Sequence, residues 1–188
     1  MTLACDNPFA PDRLAQIRYR FIDGSWETLL ERLEAVTWRG TIVGPPGSGK
    51  SILLEQLVPR LQERGFVPHL LRLSSESDMA EKESLLAQAR NFRAPDFLLL
   101  DGAERLTTRQ WLPLRVAIAQ LAGCVVSVHR TSRLPTVIEA ATTPALLEEI
   151  VLELTGAKLP SGEAAVIYGR HSGNLRECLR ELQERFAG

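Results

Sequence analysis

The segment Gly44-Pro45-Pro46-Gly47-Ser48-Gly49-Lys50-Ser51 constrains this chain more than any other. It matches the pattern G-x-x-x-x-G-K-[ST] at every fixed position. The apolar run Gly40–Val43 precedes it, and Ser51-Ile52-Leu53-Leu54 opens a helical pattern behind it. Strand, glycine-rich turn and helix form the context in which this motif binds phosphate. Gly44, Gly47 and Gly49 let the backbone wrap tightly. The amide groups of residues 44–52, including those of Ser48 and Ile52, then form a concave anion site at a helix N-terminus. Pro45 and Pro46 belong to the same nucleotide-binding stretch. Lys50 is expected to reach the β- and γ-phosphates, and the Ser51 hydroxyl to ligate magnesium. The motif thus implies a nucleoside triphosphate, expected to be ATP, with Mg2+.

A phosphate loop needs a carboxylate at a neighbouring strand end to hold the metal. Phe97-Leu98-Leu99-Leu100-Asp101 supplies Asp101 as that second magnesium residue. Gly102-Ala103-Glu104 follows, and Glu104 is the available base for a water attacking the γ-phosphate.

Apolar runs alternate with helical patterns along the chain. Strands are expected at Gly40–Val43, Phe66–Leu73, Asp96–Leu100, Gly123–Val128 and Pro135–Ala140. Between them lie helices opening at Ser25, from Ser51 to about Arg64 with a kink at Pro59, over Asp78–Asn91, and from Thr107 or Thr108 to Leu121. Three more are expected at Pro144–Thr155, Gly162–His171 and Leu175–Phe186. This order predicts an α/β fold, a P-loop NTPase three-layer sandwich with a mainly parallel five-stranded sheet. A small helical lid closes it. The expected division is an N-terminal segment (1–24), the nucleotide-binding core (25–141) and the lid (142–188).

The ordered segments resemble those of an AAA+-type ATPase, in the compact branch of transposition and secretion ATPases that borders the signalling ATPases. The resemblance rests on GPPGSGKS (44–51), LLLDGAE (98–104), VVSVHRTS (125–132) and HSGNLRECLREL (171–182), with NPF (7–9) upstream. It implies a γ-phosphate sensor at the end of the fourth strand, His129 first and Ser127 second. It also implies that Arg176, near the start of a lid helix capped by Asn174, reaches the phosphates. Nucleotide would then join core and lid through Arg176. Family members usually place Glu directly after the magnesium Asp, where this chain has Gly102. The short Arg130–Leu134 link leaves little room for the family's trans-acting arginine, for which Arg130 and Arg133 are candidates.

The implied function is an ATP-binding, ATP-hydrolysing regulatory domain that acts through a protein partner or its own copies. A nucleotide switch without efficient hydrolysis is the alternative. A small-molecule kinase is a weaker one, since no arginine-rich lid is evident, and no N-K-x-D segment reads guanine. The resemblance leaves nucleic acid open as a partner, but the net charge of -1 gives no argument for it. No apolar run reaches membrane-spanning length. The scattered cysteines Cys5, Cys124 and Cys178 lack metal-ligand spacing, so Cys124 and Cys178 are expected in the core of a cytoplasmic protein.

Overall fold

The computed structural model describes residues 7–74, 76–130 and 133–187. Cys5 and the last two residues of VVSVHRTS lie outside them. The chain divides into two compact units. One comprises 23–44 and 49–140; the other comprises the described residues of 1–22, 45–48 and 141–188.

The first unit holds five strands: β1 (Arg39–Val43), β2 (Val67–Arg72), β3 (Asp96–Asp101), β4 (Gly123–Val128) and β5 (Thr136–Glu139). All pairings are parallel, in the order β2-β3-β4-β1-β5. A parallel sheet needs crossover helices that cover its faces, so its central strands are apolar throughout. β4 is buried at every position, and β3 at its four central ones. Successive side chains alternate between faces. Leu98, Leu100, Cys124 and Val126 pack with Leu86 of α4 (Met79–Asn91) and Trp111 and Leu114 of α5 (Thr108–Ile118). The opposite face meets α3 (Lys50–Gln62), whose Leu53, Leu54, Leu57 and Leu61 are fully buried. α2 (Trp26–Ala35) lies beside β5.

The sequence signals placed these elements through local chemistry. Ser25 caps α2 by accepting the Thr28 N–H, and Thr107 forms a capping box with Gln110. One end moved. α5 stops at Ile118 rather than Leu121, because Gln120 and Leu121 turn back onto Ala117 and Ile118 before Ala122 bonds Asp96 in the sheet.

Asp96 ties the start of β3 to its neighbours. Its carboxylate meets His69 Nε2 at 2.8 Å and accepts the Arg93 N–H at 2.9 Å. These two bonds, His69's the larger, hold its pKa below the ordinary carboxylate value. The depressed folded value means stability that is present above the unfolded pKa and is lost as pH falls through the folded one. Asp96→Asn is therefore expected to lower Tm at neutral pH by roughly 2–4 °C. The deficit closes as the pH drops into the acid carboxylate range. Thermal melts across pH check this, and a deficit independent of pH would contradict it.

The second unit has its own core. α6 (Pro144–Thr155), α7 (Glu163–Arg170) and α8 (Leu175–Ala187) contribute Leu147, Ile150, Ile167, Cys178 and Leu182. Phe9 and Ile17, either side of the short α1 (Pro11–Leu14), pack into the same core. Phe9 is fully buried against the ring of Phe186, 5.2 Å away. Asn7 donates to the Gln183 carbonyl, and Arg20 pairs with Glu149 and Glu153. The N-terminal stretch thus shares its core with the closing helices, a long-range contact that no local pattern announces. Cys124 and Cys178 are buried free thiols, as expected. Among the described residues no helix is long and apolar enough to cross a membrane.

Candidate nucleotide site

Register decides which strand ends meet. In β1 and β4, Ile42 lies opposite Ser127 and Val43 opposite Val128; in β3 and β4, Leu100 lies opposite Val126. Because all three strands run the same way, the phosphate loop, Asp101 and the Ser127–His129 stretch emerge along one edge. Open α/β sheets place ligands at the carboxyl ends of their strands.

The Gly44 N–H donates to the Val128 carbonyl at 3.1 Å, anchoring the loop where β1 ends. The loop then turns through Ser48 N–H to the Pro45 carbonyl at 3.3 Å. Gly49 is left-handed, with φ 82°, and α3 starts at the next residue. Lys50 is only 7% exposed, and its Nζ donates to the Gly44 carbonyl at 2.6 Å. Ser51 Oγ donates to Asp101 Oδ2 at 2.6 Å. The two residues named from separate motifs for one magnesium ion are therefore in direct contact.

Ser127 completes this cluster. Its hydroxyl is 1% exposed, donates to Asp101 Oδ1 and accepts the Gly102 N–H at 3.0 Å. Both carboxylate oxygens of Asp101 thus accept from hydroxyl groups. In the sequence Ser127 is the second choice for phosphate sensing. Its bond to Asp101 follows only from the pairing of β3 with β4. The other candidate at that strand end, His129, has Nδ1 3.2 Å from Glu104 Oε1. The two side chains are 37% and 27% exposed.

Gly102 explains why the position after Asp101 carries no side chain. Its φ is +80°, and a Cβ there would lie 2.5 Å from the Leu73 carbonyl oxygen. A glutamate at this point would require the backbone to shift. The chain then makes a 3-10 turn over Ala103–Arg105, which carries Glu104 toward His129.

In the second unit, the loop tip meets the start of α8. A Cβ on Gly47, at φ +75°, would lie 1.9 Å from Asn174 Oδ1. Asn174 Oδ1 accepts the N–H of Arg176 at 3.1 Å and of Glu177 at 3.4 Å, capping α8 as expected. The Gly47–Asn174 contact was not visible in the sequence. Arg176 is exposed, two residues beyond the cap.

The residues fit a magnesium–triphosphate ligand. Ser51 and Asp101 offer hard oxygen donors, suited to an ion held by one or two carboxylates together with substrate phosphates. Among the described residues no group of three or more His, Cys, Asp or Glu could hold a metal alone. Ser48 Oγ is buried in the loop without a hydrogen-bond partner. Such a hydroxyl is costly unless something bonds to it.

No protein-family model matches this chain, and no curated protein matches it. Solved structures do. A RuvB variant from Thermotoga maritima is 22% identical with a TM-score of 0.58, covering 84% of this chain and 59% of that one. The replication initiator DnaA bound to AMPPCP and single-stranded DNA is 16% identical with a TM-score of 0.61, covering 87% and 62%. AMPPCP-bound DnaA from Aquifex aeolicus is 16% identical with a TM-score of 0.58, covering 84% and 61%. This chain spans about three-fifths of the length of these structures. It shares with them an α/β P-loop NTPase-like fold.

Proposed function

We propose that this chain is an ATP-binding and ATP-hydrolysing AAA+-like domain that couples its nucleotide state to a protein partner in the cytoplasm. The observation that carries this reading is the 2.6 Å bond between Ser51 and Asp101 behind a complete phosphate loop. It unites two motifs 50 residues apart on one would-be metal position.

In this reading the loop amides and Lys50 hold the β- and γ-phosphates, while Ser51 and Asp101 would hold magnesium. When bound, the ion would neutralise phosphate charge. Ser127 keeps the Asp101 carboxylate turned toward Ser51. Glu104 takes the proton of the attacking water, and His129 orients Glu104. Arg176 is the lid residue that contacts phosphate; the Asn174 contact with Gly47 supports its placement near the loop tip. AMPPCP in two of the similar structures supports triphosphate as the ligand class. The second reading, a switch without efficient hydrolysis, is favoured by the packing that makes Glu at 102 strained.

Glu104→Gln separates the two. If Glu104 is the base, turnover falls about 100-fold or more, the range for a general base, while ATP affinity is kept. ATP turnover and binding on the same samples read this out. Measurable wild-type turnover that is unchanged by Glu104→Gln removes Glu104 from the mechanism. No turnover in the wild type selects the switch.

A further inference from the structure

The α5 helix is amphipathic in an unusual way. Trp111, Leu114, Ala117 and Ile118 face the sheet and are buried. On its outer side Leu112 and Val116, one turn apart, are 64% and 61% exposed. Beside them runs a groove of about 720 Å³ lined by Arg39, Arg109, Arg115 and Arg133 together with Trp111 and Leu112. None of the residues lining it is acidic. Four of the 22 basic residues of a chain with net charge -1 therefore gather at one place. Among the described residues none of the four forms an ion pair. Arg39 donates instead to the Leu121 carbonyl, and Arg133 to Thr108 Oγ1 at 2.8 Å, with its guanidinium 5.6 Å over the Trp111 ring.

We propose that this groove docks an acidic amphipathic helix of a partner protein. Its carboxylates would pair with Arg109, Arg115 and Arg133, and its apolar ridge would cover Leu112 and Val116. Helices that lie in grooves are held by such i, i+3 and i+4 anchors. Arginine is enriched in interfaces of this kind, and complementary charge sets register and on-rate. Single-stranded nucleic acid fits less well. It needs an exposed aromatic platform for its bases, and Trp111 is 8% exposed.

The groove has a route to the candidate base. Trp111 and Arg133 also line a separate cavity of about 270 Å³ that contains Glu104. An acidic helix that draws Arg133 from Thr108 changes a wall of that cavity. This regulatory consequence rests on the reading of Glu104 given above; docking itself does not.

The test uses the full-length chain and a fluorescent amphipathic peptide with Glu at its polar positions and Leu at i and i+4. Fluorescence anisotropy is expected to show saturable binding. Affinity falls about tenfold or more when Arg109→Glu and Arg115→Glu are combined, and comparably for Leu112→Glu. All three positions are exposed, so circular dichroism and melting should match the wild type. A peptide with Lys in place of Glu does not bind. Lys50→Ala binds the acidic peptide as the wild type does, which separates failure of docking from failure of the nucleotide reading. Absence of binding, or binding that ignores the three substitutions, overturns the proposal. So does a single-stranded oligonucleotide that binds more tightly and loses affinity in the same variants. Sedimentation of the chain alone gives a third check. Self-association abolished by these variants would assign the groove to a second copy and overturn the proposal too.

Discussion

Lys50→Ala is expected to weaken ATP binding by about 100-fold or more and to abolish turnover. The ammonium is buried at the start of α3 and bonded to the Gly44 carbonyl, so it is held at the mouth of the loop before any ligand arrives. A bond between an ammonium and a phosphate oxygen is charge-assisted, and losing one costs about 1.5–3 kcal/mol. Lys50 is expected to serve two phosphates, which places the loss at the upper end of that range. The fold should survive, because alanine is a good helix former at this position. Calorimetric titration of ATP into both proteins, with melting curves as the control, reads the effect. A variant that is folded and binds ATP like the wild type would remove Lys50 from the site.

The second large effect concerns Gly102. Family resemblance would suggest restoring the glutamate that usually follows the magnesium aspartate. The structure gives the opposite expectation. Gly102→Glu must adopt a left-handed φ of +80° and set its Cβ 2.5 Å from the Leu73 carbonyl oxygen. The backbone strain alone costs about 1–2 kcal/mol. Relief of the contact requires the Leu73–Asp101 backbone bond to shift, since the Leu73 N–H donates to the Asp101 carbonyl. The Gly102 N–H would also leave Ser127, whose hydroxyl orients Asp101. A total near 3 kcal/mol corresponds to a Tm lower by roughly 6–12 °C. Turnover should fall rather than rise, because the metal carboxylate loses its support. Thermal melts and ATP assays on Gly102→Glu check both. A variant of native stability with faster turnover would show that the packing around Gly102 is not as described.

Much of this site was legible before the structure. The phosphate loop is local, and every fixed position reports on one short stretch of backbone. Asp101 is legible because a fully apolar strand that ends in a carboxylate has few other uses beside such a loop. The strands and helices were legible for a related reason. Both faces of a parallel sheet are covered, so β3 and β4 read as unbroken apolar runs, and Ser25, Thr107 and Asn174 cap helices through contacts within three residues. What the sequence could not show depends on residues far apart in the chain. Ser127 meets Asp101 only because β4 pairs with β3. Gly102 is required by a carbonyl 29 positions away, at Leu73, and Gly47 by the side chain of Asn174. Phe9 and Ile17 join the core of α6–α8 across nearly the whole length of the chain. The arginines of the α5 groove come from β1, α5 and the residues before β5, and no linear pattern collects them.

The central claim is that loop 44–51 and Asp101 together hold a magnesium–triphosphate. The most direct measurement is calorimetric titration of ATP into the purified chain, with and without Mg2+, repeated on Asp101→Asn. The expected result is saturable binding of one nucleotide per chain that tightens when Mg2+ is present. In Asp101→Asn that tightening disappears while metal-free binding persists. No binding by the wild type, or binding that Mg2+ and Asp101→Asn leave unchanged, would contradict the claim.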